Sequence, residues 1–188
     1  MGKNKAAVKN YIESYQEQYL NRIYELENPF YIAFYELSVC NIIAEGYDFF
    51  VDLKCENNFF KSNIVKLNLF TGKKFIKMMS LYHTIRILKM REDINPDEMK
   101  KVMFNIFEFD ENEKKIFDIL YRCALDYRNK FHRLFVDAFV KYVFGVEILS
   151  PFTLAFVENF CYNSFNSFFD SFTKFMTLQR RISVQLNA

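Results

Sequence analysis

Few residues in this chain could do acid–base or nucleophilic chemistry near neutral pH: two histidines, His83 and His132, and four cysteines. His132 closes the run Arg128-Asn129-Lys130-Phe131-His132. A histidine there can exchange a proton with a sugar hydroxyl or a leaving oxygen. An arginine beside it can offset charge growing on phosphoryl oxygens. On a helix Arg128 and His132 also read as one solvated flank, shared with Asp126 and Arg133. Neither histidine has Asp or Glu three residues before it, so the Glu-x-x-His element of a di-metal bundle is missing. Two isolated histidines without neighbouring cysteines do not make a zinc site. The nucleophile-elbow, phosphate-loop and dinucleotide patterns are also missing, since Thr71-Gly72-Lys73-Lys74 lacks the remaining glycines. No metal and no cofactor is expected.

A second set of candidates is electrostatic. Between Glu56 and Glu92 there is no acidic residue, while Lys61, Lys66, Lys73, Lys74, Lys77, Arg86, Lys89 and Arg91 are basic. Of these, Lys73, Lys74, Lys77, Arg86 and Lys89 recur at helical spacing and are the candidates for contact with a nucleic-acid backbone. The competing expectation is internal pairing. Glu25 to Glu56 holds seven acidic residues against one lysine, Glu92 to Asp118 holds nine against four, and the whole chain carries a net charge of only +2. Antiparallel neighbours would place these blocks side by side.

The elements that would position these residues are helical. Four glycines and three prolines in 188 residues leave little turn material, and apolar positions recur every three to four residues. An apolar share of 51% predicts a packed core, and 24 Phe and 12 Tyr without Trp make it aromatic. The expected fold is all-α: a single domain over 1–188, a bundle of five to six helices with two long ones at the C-terminal end. The first runs from about Lys3 to Glu27, and Tyr15 and Tyr19 belong to its packing ridge. The second follows Asn28-Pro29 and reaches about Leu53, with a bend at Gly46. A third, capped by Thr71, spans about Gly72 to Arg91, and His83 reads as a surface or partly buried residue on it. Asn95-Pro96 opens a short helix to about Phe109.

The organising element is expected to be one unbroken helix from Asp110 to Gly145. Its stripe is Ile116, Leu120, Cys123, Tyr127, Phe131, Leu134 and Ala138, with an Asp110/Glu113 capping box at the start and Gly145 as the left-handed stop. The last helix starts at Ser150-Pro151 and runs to about Ser183. Its Phe165, Phe168, Phe169, Phe172 and Phe175 form an arc wider than one neighbouring helix covers, so they are the expected interface with a second copy or another protein.

The run Arg128 to His132 resembles the signature of HEPN-type ribonucleases, small all-helical proteins whose Arg, following polar residue and His act on RNA, often across a dimer. Three residues separate Arg128 from His132, a shorter spacing than the family pattern. The resemblance implies catalytic roles for Arg128, Asn129 and His132 and RNA as a partner. The cysteines are far apart and read as thiols, not as a disulfide framework. No apolar run is long enough for a membrane span, so a cytoplasmic protein is expected. The leading functional reading is a non-enzymatic interaction or assembly subunit. The alternatives are a HEPN-like nuclease or RNA-binding subunit and, third, a helical pocket for an apolar ligand.

Overall fold

The computed structural model describes residues 2–56, 69–126, 130–145 and 151–186. Every element among them is helical: α1 (Gly2–Tyr24), α2 (Pro29–Glu56), α3 (Leu69–Met90), α4 (Pro96–Ile106), α5 (Glu111–Asp126), α6 (Phe131–Phe139) and α7 (Pro151–Leu186), with a π-helical turn (Val140–Phe144) continuing α6. The class agrees with the sequence reading, and seven helices replace the expected five to six.

The chain is organised around α3 and not around the Asp110–Gly145 segment. Every residue from Phe75 to Ile85 is buried, and α3 touches each of the other helices. It begins at Leu69, so Thr71 lies inside the helix and does not cap it. Apolar residues occupy most of the circumference of α3, and even its polar residues Lys77, Ser80, His83 and Thr84 are buried, as expected of a helix packed on all sides.

Pairings fix the directions of its neighbours. Ser38 meets His83, Tyr35 meets Thr84 and Gly46 meets Phe75, so α2 and α3 are antiparallel. Phe49 stacks on Phe156, Phe34 meets Phe168 edge-on and Phe30 meets Phe172, so α7 runs antiparallel to α2. On the other side of α3, Lys77 pairs with Glu113 of α5, and Phe75 packs on Phe139 of α6.

The expected long helix is therefore a helical hairpin. Tyr142, on the π turn, hydrogen-bonds Glu113, at the start of α5. In one straight helix those residues would stand about 43 Å apart. Folding back brings Phe131, Phe135, Val136 and Phe139 onto the core, whereas Leu134 of the expected stripe points out, 44% exposed. Tertiary burial outweighs helical continuity here, because a solvated straight extension would leave those rings in water. Tyr127, Arg128 and Asn129 lie outside the described residues. The two ends follow expectation: Asp110 Oδ1 accepts the N–H groups of Asn112 and Glu113, Glu113 accepts that of Asp110, and Gly145 has φ of 69°.

Gly46 serves a close approach between α2 and α3. A Cβ there would lie 2.7 Å from Cε1 of Phe75, whose ring is hemmed in by Phe49, Phe139 and Phe160. Gly46→Ala is therefore expected to destabilise the fold by about 1–3 kcal/mol through overpacking, despite the ~1 kcal/mol that alanine gains in an open helix. Urea unfolding of the variant checks this; a net gain would mean that the Phe75 ring can yield.

Candidate functional site

His132 sits at the seam of α3, α6 and α7, half-buried. Nη1 of Arg86 donates to its Nε2 at 2.9 Å, and the Tyr82 hydroxyl lies 2.8 Å from its Nδ1. A guanidinium cannot accept, so Nε2 carries the lone pair, and the proton sits on Nδ1 and is donated to the Tyr82 oxygen. Burial first, then the charges of Arg86 and Lys89, hold the imidazole below the usual histidine range. His132 is thus neutral near pH 7 with both ring nitrogens engaged inside the chain, which leaves neither free for proton exchange with a substrate in this conformation. Arg128 and Asn129, the other two residues of the catalytic reading, lie outside the described residues.

Arg86 is held by rings. Its guanidinium lies 4.6 Å from the centre of Phe165 and 5.9 Å from those of Tyr82 and Tyr162. Such stacking fixes the plane of the fork and partly offsets the lost hydration of the charge. Tyr162, 49% exposed, forms an open aromatic shelf beside it and meets His132 edge-on.

The other basic residues of α3 largely turn inward. Lys73 pairs with Glu108 at 3.1 Å, and Arg22 of α1 shares that carboxylate. Lys77, expected as a nucleic-acid contact, is 6% exposed and forms an ion pair of 2.6 Å with Glu113. Its ammonium also reaches the carbonyl of Glu108 at 2.8 Å, an oxygen aimed inward because Glu108 has φ of 51°. Glu113 is the hub of this cluster: one oxygen takes Lys77 and the backbone N–H of Asp110, and the other accepts from Tyr142. Burial and Glu113 push the Tyr142 phenol up, which keeps it a donor. Lys74 stands over the Tyr142 ring at 4.8 Å, and Lys89 over Phe131 at 6.0 Å. The acidic block after α3 supplies these carboxylates, as the pairing expectation held, and Lys100 with Asp118 adds a pair between α4 and α5. Lys61 and Lys66 lie outside the described residues.

His83 departs from the surface reading. It is fully buried, with Nδ1 2.8 Å from Ser38 Oγ, its ring stacked on Phe168 at 4.7 Å, and no partner for Nε2. Burial, and secondarily the charge of Arg86, push it down to about 3.

Of the five expected interface phenylalanines, Phe165, Phe168 and Phe172 are buried within the chain. Phe168 fills the space between Phe34 and His83, and Phe172 lies against Phe30 and Phe34. They are core because α2 and α3 together cover an arc that one helix could not. Phe169 and Phe175 remain partly exposed. Sequence reasoning missed what lies beyond them: among the residues of α7 whose side chains are described Phe172 is the last buried one, and the helix continues to Leu186 with Leu178 59% and Ile182 49% exposed. The signal was present in the spacing Phe175, Leu178, Ile182, which carries the apolar face past the end of the core. Nothing in the spacing announced the Arg86–His132 bond, which joins residues 46 apart.

Among the described residues no three His, Cys, Asp or Glu side chains are placed to hold a metal, and no helix is long and apolar enough to cross a membrane. The fold and these clusters define an all-α bundle with a dry ion-pair centre, a half-buried Arg–His pair and an overhanging terminal helix. Comparison of the chain with protein-family models, curated proteins and solved structures gives no match.

Proposed function

We propose that this protein is a non-enzymatic helical assembly subunit whose terminal helix docks on a second helix, from another copy or from another protein. The observation that carries the reading is the overhang. α2 starts at Pro29 and α3 ends at Met90, so the two helices that cover this end of α7 stop near Phe172, while the fourteen residues from Thr173 to Leu186 extend about 21 Å further. Leu178 and Ile182 lie on the same side of the helix as the buried Phe168, and Phe175 is only partly covered. Phe175, Leu178 and Ile182 make an apolar stripe about two turns long, at the spacing that helix–helix docking uses. The charge of Arg180 is felt by Asp93 on the turn after α3, whose carboxylate is paired with Arg91. The interface expectation is kept in this reading, but moved from the buried phenylalanines to Phe175, Leu178 and Ile182.

Size-exclusion chromatography with light scattering, together with capture of helical partners, tests it. Leu178→Asp with Ile182→Asp is expected to abolish association while far-UV circular dichroism and the melting temperature stay unchanged, because neither side chain contributes to the core. Association that survives the double variant would refute this interface.

A further inference from the structure

We infer that Arg86, with His132, forms a binding site for a phosphoryl dianion at the seam of α3, α6 and α7. The inference is independent of the docking helix.

The first support is an unmatched charge. Partly buried guanidinium groups are ordinarily paired with carboxylates, because desolvation of the charge is costly. Among the described residues Arg86 makes no ion pair, and its hydrogen-bond acceptors are neutral, the His132 imidazole and the Tyr82 hydroxyl. The second is rigidity. Phe165, Tyr82 and Tyr162 hold the guanidinium in place, so a bound oxyanion would meet a pre-set fork with donors to spare and little ordering cost. The third is the sign of the local field. The charges acting on His132 are Arg86 and Lys89, both of which disfavour its protonation; the nearest carboxylate to act in this seam, Glu158 on α7, is exposed and acts on Tyr82 and Cys161. The guanidinium together with a protonated His132 would supply two positive charges, which match a dianion better than a carboxylate.

The arrangement also couples binding to a proton. His132 accepts from Arg86 through Nε2, and a dianion at the guanidinium would favour the imidazolium, which turns Nε2 into a second donor toward the same anion. No covalent step is involved. Tyr162 offers its open face to an organic group attached to the phosphate.

The test follows the His132 ring resonances by NMR through a pH titration, in millimolar inorganic phosphate and in chloride at equal ionic strength. Phosphate is expected to raise the pKa of His132, and Arg86→Gln to weaken phosphate binding by about tenfold or more. Arg86→Lys, which keeps the charge and loses the fork, is expected to fall between. Adenosine monophosphate is the second probe. Tighter binding than phosphate, lost in Tyr162→Ala, supports the site with an organic phosphomonoester as its ligand; equal binding supports it with the free anion. An identical His132 titration in phosphate and chloride overturns the proposal in the wild-type chain alone, whatever the fate of the variants. So does an unchanged phosphate response in a folded Arg86→Gln.

Discussion

Glu113→Ala is expected to lower the stability of this protein by about 3–5 kcal/mol, the loss typical of removing one partner from a buried ion pair. Both side chains of the Lys77–Glu113 pair are 8% exposed, and the space beside them, lined by Met78, Leu81, Phe109 and Ile116, has no room for a water molecule. Alanine would leave the Lys77 ammonium with only the Glu108 carbonyl and no counter-charge, strand the Tyr142 hydroxyl and the Asp110 N–H, and remove half of the capping box of α5. Urea unfolding followed by circular dichroism measures the loss. The paired change Lys77→Met with Glu113→Gln keeps an amide oxygen for the Asp110 N–H and turns the amide NH2 toward the Tyr142 oxygen, without a buried charge, and is expected to cost far less than the single alanine. A single-variant loss below about 1 kcal/mol would mean that water reaches the pair, as at an exposed salt bridge.

Acid is expected to act through His83. Its folded-state pKa of about 3 lies below the value near 6.5 of an unfolded chain, so between those limits the unfolded state holds one more proton. The stability contributed by neutral burial is complete above pH 6.5 and falls as pH drops, by about 2 kcal/mol at pH 5 and about 4 kcal/mol by pH 3. His132, also held below its ordinary value, adds to the slope with the same sign. Carboxylates held low in the fold, such as Glu108, begin to contribute only near pH 4.5 and below, so the range from 7 to 5 isolates the histidines. Denaturant midpoints measured across that range should fall steadily. His83→Asn, which can still bond Ser38, should leave only the shallower dependence due to His132. A slope unchanged by that substitution would show that His83 is hydrated in the fold.

What could be read from the chain, and what could not, divides along local and distant causes. The capping box at Asp110 and Glu113, the proline starts at Pro29, Pro96 and Pro151, and the left-handed Gly145 are decided within a few residues and stand where the sequence put them. The hairpin between α5 and α6 was hidden because the buried sets of the two helices share one phase: Phe117, Leu120 and Ala124 lead into Phe131 and Phe135 as one straight helix would. Lys130, at the start of α6, makes no side-chain cap, so no local stop or start marked the fold-back. His83 misled because it stands among basic residues, and its burial depends on α2 and α7 arriving from distant parts of the chain. The charge blocks were legible as blocks, but their pairing showed only in part: Lys73 and Lys77 find Glu108 and Glu113, whereas Arg86 finds a neutral histidine.

The enclosure of α3 also governs how the chain can come apart. Hairpins such as α1–α2 and α5–α6 bring together residues close in sequence, and closing such loops costs little entropy. A helix buried from Phe75 to Ile85 has no solvent face on which to rest alone, so it gains its stability only when helices from both sides of the chain have gathered around it. Every other helix among the described residues then shares a contact with the same central segment. Partial opening cannot peel away one side cheaply, since it bares a stripe of α3 whose removal from water supported the rest. Such a layout favours one all-or-none transition over a ladder of intermediates, and places the slowest amide exchange in the middle of the sequence.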